Sequence, residues 1–164
     1  VKLEVMALLE AARYAPSCFN EQPWRFVVAS ESEELTVMRS ILNESNQIWA
    51  NAAPVLIAVL AKQTFTQNGK PNFWHVFDTG TAWGYLSLEA QRRGLISHAM
   101  AGFDKDKARV VLQVPDDYAV VTMVAVGKMG KKEDLPPMLQ EKEEPASRKP
   151  LSEIVFNGVF GQKM

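Results

Sequence analysis

Three side chains near the start of the chain could bind a ligand without ionising. Ser17, Asn20 and Gln22 lie between Pro16 and Pro23, and each can both donate and accept hydrogen bonds. The prolines fix φ at both ends of this loop, and Trp24 places a large ring at its exit. A pre-shaped loop with neutral polar groups suits a planar ligand that presents donors and acceptors along one edge. The same residues also suit a helix stop and a turn in which Ser17 and Asn20 bond their own backbone. Acid–base or nucleophilic groups are not assembled in the sequence. His75 and His98 lie in different segments and read as structural histidines. Cys18 is the one cysteine. Without a CxxC partner it reads as an inert thiol, so no internal disulfide and no metal site are expected.

The elements that must position this loop follow from periodicity. Residues 1–14 space Leu3, Val5, Met6, Leu8, Leu9 and Ala12 as an amphipathic helix, which Pro16 stops. Residues 25–30 predict a short buried strand. Residues 30–43 read as a helix capped by Ser30 or Ser32, with acids in its first turn. Residues 55–61 form a second apolar strand behind Pro54. Residues 62–72 read as a flexible polar loop carrying Phe65. Residues 73–93 are apolar almost all round, which predicts a helix buried on every face. In a chain this short, such a helix points to an interface with a second copy. Gly80 and Gly84 would admit another helix closely, and Gly94 caps the end. A small-residue strand over 95–102, a short helix over 104–112, a turn at 115–117 and a strand over 118–126 follow. Residues 128–150 read as an extended charged surface segment, ahead of a helical piece over 151–155. Phe156, Val159 and Phe160 in the tail are expected to pack on a partner subunit.

The bulk numbers bound the function. The 164 residues, 47% apolar and 23% charged, fit a single domain spanning 1–164 with a substantial core. A net charge of −1 offers no basic footprint for nucleic acid. No apolar run approaches the roughly 18 residues of a membrane helix, so no membrane partner is expected. No signal peptide is visible, and the cysteine usage points to a cytoplasmic location. Simple alternation of helices and strands suggests a parallel doubly wound sheet, although no phosphate-binding glycine loop follows the first strand.

The stretch A-P-S-x-x-N-x-Q-P-W over 15–24, followed by an apolar strand, resembles the signature of the FMN-dependent nitroreductase family. Further segments are similar in the same order: E-A-A-R-Y-A-P-S over 10–17, N-Q-I-W-A-N-A-A-P-V-L-I over 46–57, D-T-G-T-A-W-G-Y-L-S-L-E-A-Q-R-R-G-L over 78–95, A-G-F-D over 101–104, V-V-T-M-V-A-V-G over 120–127 and R-K-P-L-S-E-I-V over 148–155. The resemblance implies an α+β fold, a three-layer α/β/α nitroreductase-like arrangement with a mixed, largely antiparallel central sheet. It implies an intertwined homodimer with the flavin at the subunit interface.

It also implies FMN as cofactor, NAD(P)H as electron donor and ping-pong hydride transfer via flavin N5 to a nitroaromatic, quinone or similar small acceptor. In that reading the flavin carries the chemistry and no side chain is catalytic. Pro16, Ser17 and Asn20 line its ribityl and ring side, with Gln22 lining it or orienting the loop. Asn46 offers an amide to the pyrimidine edge, its alternative being a helix C-cap. The backbone of Met100, Ala101 and Gly102 lies against the ring, with Ala101 and Gly102 near N5. Arg148 and Lys149 reach the phosphate; without the resemblance they are ordinary surface charges. Phe65, Phe73 and Trp74 stack a flat substrate, or else serve packing. Family members carry an arginine- and serine-rich segment about twenty residues before the A-P-S, and this chain is expected to lack that FMN-binding segment. That departure keeps open a degenerate flavin-binding or interaction protein without reductase activity. A specialised reductive dehalogenase-like enzyme on the same fold is a further alternative.

Overall fold

The computed structural model describes residues 2–164, with side chains from Glu4 onward; Leu3, expected on the first apolar face, lies outside the described side chains. The chain forms two compact units, a larger one ending at Met129 and a smaller one over Gly130–Met164.

In the larger unit, α1 (Lys2–Arg13) leads to β1 (Trp24–Ala29), then α2 (Ser32–Ile41), α3 (Glu44–Ala50) and β2 (Val55–Lys62). The long helix α4 (His75–Arg92) is followed by β3 (Ile96–Met100), α5 (Lys105–Val111) and β4 (Tyr118–Gly127). The strands form one sheet in the order β1-β2-β4-β3. Each pairing is antiparallel. The parallel doubly wound sheet suggested by alternation therefore does not form, and among the described residues the sheet is antiparallel throughout rather than mixed. One cause is α3, which residues 46–51 did not announce. A second helix between β1 and β2 adds a chain reversal, so β2 returns antiparallel.

The sheet is buried on both faces, which explains the unbroken apolar run of β2. Its Leu56, Ala58 and Leu60 pack with Met38 and Ile41 of α2, Ala50 of α3 and Ala108 of α5. The alternate residues Val55, Ile57 and Val59 pack with Leu8 and Ala12 of α1 and with Ala82, Leu86 and Ala90 of α4. This period-two division of one strand between two cores makes the three layers.

Several local expectations are corrected. The cap of α2 is Glu31, whose capping box pairs with Glu34, not Ser30 or Ser32. Residues 62–72 are a closed hairpin rather than a flexible loop. Phe65 N–H donates to Lys70 O at 2.8 Å, Gly69 N–H to Phe65 O at 2.8 Å, and Gly69 supplies the φ of 68° that the turn requires. Helix α4 buries Asp78, Thr79, Ala82, Leu86 and Ala90, but Val76, Phe77, Tyr85 and Leu88 are exposed in the single chain. One face of α4 thus lacks a cover within its own unit.

The smaller unit contains a 3-10 turn (Lys132–Asp134), α6 (Pro137–Gln140) and α7 (Leu151–Ile154). The charged segment is therefore not wholly extended: Pro137 starts a short helix, where its missing N–H costs nothing. The Phe156 and Phe160 rings lie 4.6 Å apart, and Phe160 remains exposed. Among the described residues, no helix is long and apolar enough to cross a membrane.

Candidate cofactor site

The loop between α1 and β1 is built as a tight, strained turn. Ser17 Oγ accepts from Gln22 N–H at 2.9 Å. Asn20 N–H donates to Ser17 O at 3.0 Å and Glu21 N–H to Cys18 O at 3.1 Å. Gln22 Nε2 reaches Asn20 O at 3.3 Å, so this side chain braces the loop. Phe19, Asn20 and Gln22 have φ of 51°, 54° and 52°. The other described non-glycine residue with positive φ, Gln113, lies just beyond α5. A left-handed Phe or Gln costs about 1–2 kcal/mol, whereas Asn tolerates the region, so Phe19 and Gln22 must be held there by their surroundings. Backbone outliers of this kind concentrate at ligand clamps and active sites. The turn reading of Ser17 is realised, and the Asn20 amide is left exposed, with no hydrogen bond among the described residues.

Two carboxylates tie the loop to its surroundings, Asp78 from α4 and Glu21 from within the loop itself. Asp78, buried in the first turns of α4, accepts from Cys18 N–H at 2.9 Å through Oδ2. Glu21 reaches the hairpin: its carboxylate accepts from Thr66 N–H at 3.0 Å and from Thr66 Oγ at 2.5 Å. Lys62 Nζ stands 3.7 Å from both Glu21 and Asp117. The same hairpin brings Phe65 edge-on to Phe19, with centroids 5.8 Å apart. Burial pushes the Glu21 carboxyl up, but the Thr66 hydrogen bonds and the Lys62 and Arg25 cations outweigh it, so Glu21 titrates below the ordinary value. A depressed carboxylate pKa adds stability above the unfolded pKa and loses it as pH falls through the folded one. The stability gap between wild type and Glu21→Gln should hold at neutral pH and shrink below about pH 4, as read from urea midpoints across pH.

The second polar group lies where β3 ends. Met100 is buried, and its carbonyl accepts from Thr122 Oγ at 2.9 Å. Ala101 is exposed. Gly102 O accepts from Asn43 N–H at 3.1 Å and from Asn46 Nδ2 at 2.9 Å. Gly102 N–H makes no hydrogen bond among the described residues. Asn43 caps α3, its Oδ1 accepting from Asn46 N–H at 3.0 Å. Asn46 therefore sits in the first turn of α3 and is not a helix C-cap. A Cβ added at Gly102 would meet the Asn43 and Asn46 side-chain amides, so those side chains must shift to admit it.

The remaining candidates divide. Phe65 belongs to the loop–hairpin contact. Phe73 and Trp74 are exposed just before α4, with Trp74 edge-on to Phe77 at 6.0 Å. His75 Nδ1 bonds Asn72 O at 2.7 Å, and His98 packs against Trp49, so both have structural contacts. Arg148 and Lys149 belong to the smaller unit, where Arg148 donates to Ala146 O at 3.0 Å. Within the larger unit the two polar groups are not brought together. The 16–22 loop enters edge strand β1, and the Ala101–Gly102 turn leaves the opposite edge strand β3. Three strand spacings put those two edges about 14 Å apart.

Sequence reasoning missed Asn43, Glu21 and Asp78. The pair Asn43-Glu44 is an N-cap followed by a first-turn acid, which would have announced α3. Glu21 and Asp78 carry no such sign, because their partners are 45 and 60 residues away.

The chain is similar in sequence and fold to known proteins. A model of the Nitroreductase family matches residues 2–47 and 36–128. A crystal structure described as an oxidoreductase containing FMN is 38% identical, with a TM-score of 0.93, covering 99% of this chain and 84% of that chain. An uncharacterised 15.4 kDa protein of Mycolicibacterium smegmatis is 31% identical over 133 residues, which is 80% of this chain and 88% of that protein. An NADH dehydrogenase of Thermus thermophilus is 26% identical over 180 aligned positions, covering 91% of this chain and 82% of its own.

Proposed function

Because the chain belongs to the Nitroreductase family, we propose that it is an FMN-dependent oxidoreductase moving reducing equivalents from NAD(P)H to a small electrophilic acceptor, a nitroaromatic or a quinone. The observation that carries this reading is the pair of neutral polar groups with unused donors: the Asn20 amide on a strained loop and the Gly102 N–H beside Asn46. A flavin edge alternates donors and acceptors, and neutral partners match it without imposing a charge. The FMN named for the similar crystal structure and the NADH named for the Thermus relative support the same assignment.

When bound, FMN supplies the hydride chemistry at its N5. The chain's own residues bind and orient it. Pro16, Ser17, Asn20 and Gln22 face its ribityl and ring side. Asn46 spends its Nδ2 on Gly102 O, which leaves its Oδ1 to accept from the pyrimidine edge. The Gly102 N–H donates toward N5, and Met100 and Ala101 keep the backbone close to the ring. Phe65, Phe73 and Trp74 offer flat apolar surface to the substrate. Arg148 and Lys149 take the phosphate, where a planar guanidinium binds two oxygens at once. Replacing Arg148 by alanine should weaken FMN binding about tenfold, the usual loss for one charged hydrogen-bonding group; unchanged affinity by fluorescence titration would remove this role.

The two polar groups sit on opposite sheet edges, and the α4 face carrying Phe77 and Leu88 is uncovered in the single chain. Both features support a homodimer with the flavin between the subunits. Sedimentation of the purified protein should give twice the chain mass.

The visible spectrum tests the assignment. Bands near about 370 and 450 nm on purification or after adding FMN, bleaching with NADH or NADPH without oxygen, and recovery with a nitroarene are the expected results. A protein that stays colourless with added FMN would overturn it.

A further inference from the structure

We propose that Asp78 and Glu21 are positioning residues of the cofactor loop: two carboxylates that hold Phe19, Asn20 and Gln22 in their left-handed form without touching the ligand. The proposal rests on the cofactor reading above. The hydrogen bonds inside the loop, Ser17 to Gln22 and Cys18 to Glu21, are local. Local bonds close a turn, but they do not exclude a relaxed variant with Phe19, Asn20 and Gln22 returned to negative φ. A strained segment persists only when its surroundings over-determine it.

Here the surroundings are two clamps, one on the residue that enters the strained segment and one within it. Asp78 is 5% exposed and lies near the N-terminus of α4, where the helix dipole favours a negative charge. It fixes Cys18, the residue entering the strained segment. Glu21, with a side chain 9% exposed, sits between Asn20 and Gln22 and is fixed by both donors of Thr66. Lys62 in turn is held by Thr64 O at 2.9 Å and Thr66 Oγ at 3.1 Å. The charged groups around Glu21 are Lys62 and Arg25, with Asp117 across Lys62. Because the Glu21 clamp and the Phe19–Phe65 contact both run to the 62–72 hairpin, the cofactor loop and the aromatic hairpin are tied into one body. A shift of the hairpin would therefore move Asn20 and Gln22.

Cys18 is the chain's one thiol and lies within the loop, so its rate of reaction with a disulfide reagent reports loop opening whether or not FMN is present. The test compares the full chain with Asp78→Ala, Glu21→Ala, Asp78→Asn and the surface substitution Thr66→Val, measuring thiol reaction rate, FMN affinity and melting temperature. The alanine variants should react about tenfold faster and bind FMN about tenfold more weakly, the effect of losing one charge-assisted hydrogen bond. Asp78→Asn keeps an acceptor for Cys18 N–H and should restore both values to within about twofold. Thr66→Val removes one of the two donors to Glu21 and should move both in the same direction, by about threefold. A lowered melting temperature with unchanged thiol rate would overturn the proposal, as would a faster thiol rate with full FMN affinity. Failure of the wild type to bind FMN would overturn the functional reading and the cofactor role of these acids, while the thiol rates would still show whether they clamp the loop.

Discussion

Gly102→Ala should lower the unfolding free energy by about 2–4 kcal/mol and weaken FMN binding at least tenfold. The new methyl would meet both asparagine amides at once. Overpacking alone costs about 1–3 kcal/mol. Relief by rotating Asn43 breaks the cap of α3, worth about 1 kcal/mol. Relief by rotating Asn46 breaks its bond to Gly102 O, worth about another 1 kcal/mol. Neither escape is free, because both amides are short and already engaged. Gly130→Ala is the control, since an added Cβ there meets nothing within 4 Å; its stability should stay within about 0.5 kcal/mol of wild type. Urea unfolding gives the first number and flavin fluorescence the second. Equal stability of the two variants would show that the Asn43–Asn46–Gly102 cluster yields without resistance.

Trp24→Ala should be more severe, at about 3–5 kcal/mol, the cost of deleting a buried aromatic side chain. The ring is 6% exposed and packs in the cluster containing Leu8 and Ala12 of α1, Ala15 and Val59 of β2. It opens β1, opposite Ala61, so it anchors the C-terminal end of the cofactor loop to the core. Against a total stability of about 5–15 kcal/mol, the loss would leave the variant marginal at 37 °C. Trp24→Phe refills most of the volume and should cost under about 2 kcal/mol. If both variants denature at the wild-type urea concentration, Trp24 does not join loop to core.

Where burial or a cap wrote itself into the residue pattern, the fold was legible. The run over 55–61 read as a continuous apolar strand behind Pro54, and β2 divides its side chains between the two cores. Gly94, with φ of 69°, ends α4 as its type demands. Helix α3 was missed because E-S-N-Q-I-W-A is mostly polar and its stability comes from the Asn43 cap and the Gly102 contacts. For α4 the residue types predicted burial on every face and an interface with a second copy: an apolar type signals that a surface wants cover, not that the same chain provides it, and Val76, Phe77, Tyr85 and Leu88 are exposed in the single chain. The cofactor loop was legible as a loop and not as a strained one. Phenylalanine avoids the left-handed region, so no local preference predicts Phe19 there. That conformation is imposed by Asp78 and by the Glu21–Thr66 contact, which only the folded chain brings near. The family resemblance supplied the roles of Asn20, Asn46 and Gly102; the strain, the clamps and the crowding at Gly102 come from the geometry.

The separation of the two polar groups across the sheet bears on genetics as well as binding. In the proposed dimer each flavin would take the 16–22 loop from one subunit and the Asn46–Gly102 turn from the other. A chain disabled at Asn20 and a chain disabled at Asn46 would each be inactive as a homodimer. Mixed in one molecule, they would leave one site with both defects and one with neither. Random reassociation makes half of the molecules mixed, so co-expressing the two dead chains should recover about a quarter of wild-type activity. Two defects in a site built within one chain would never complement.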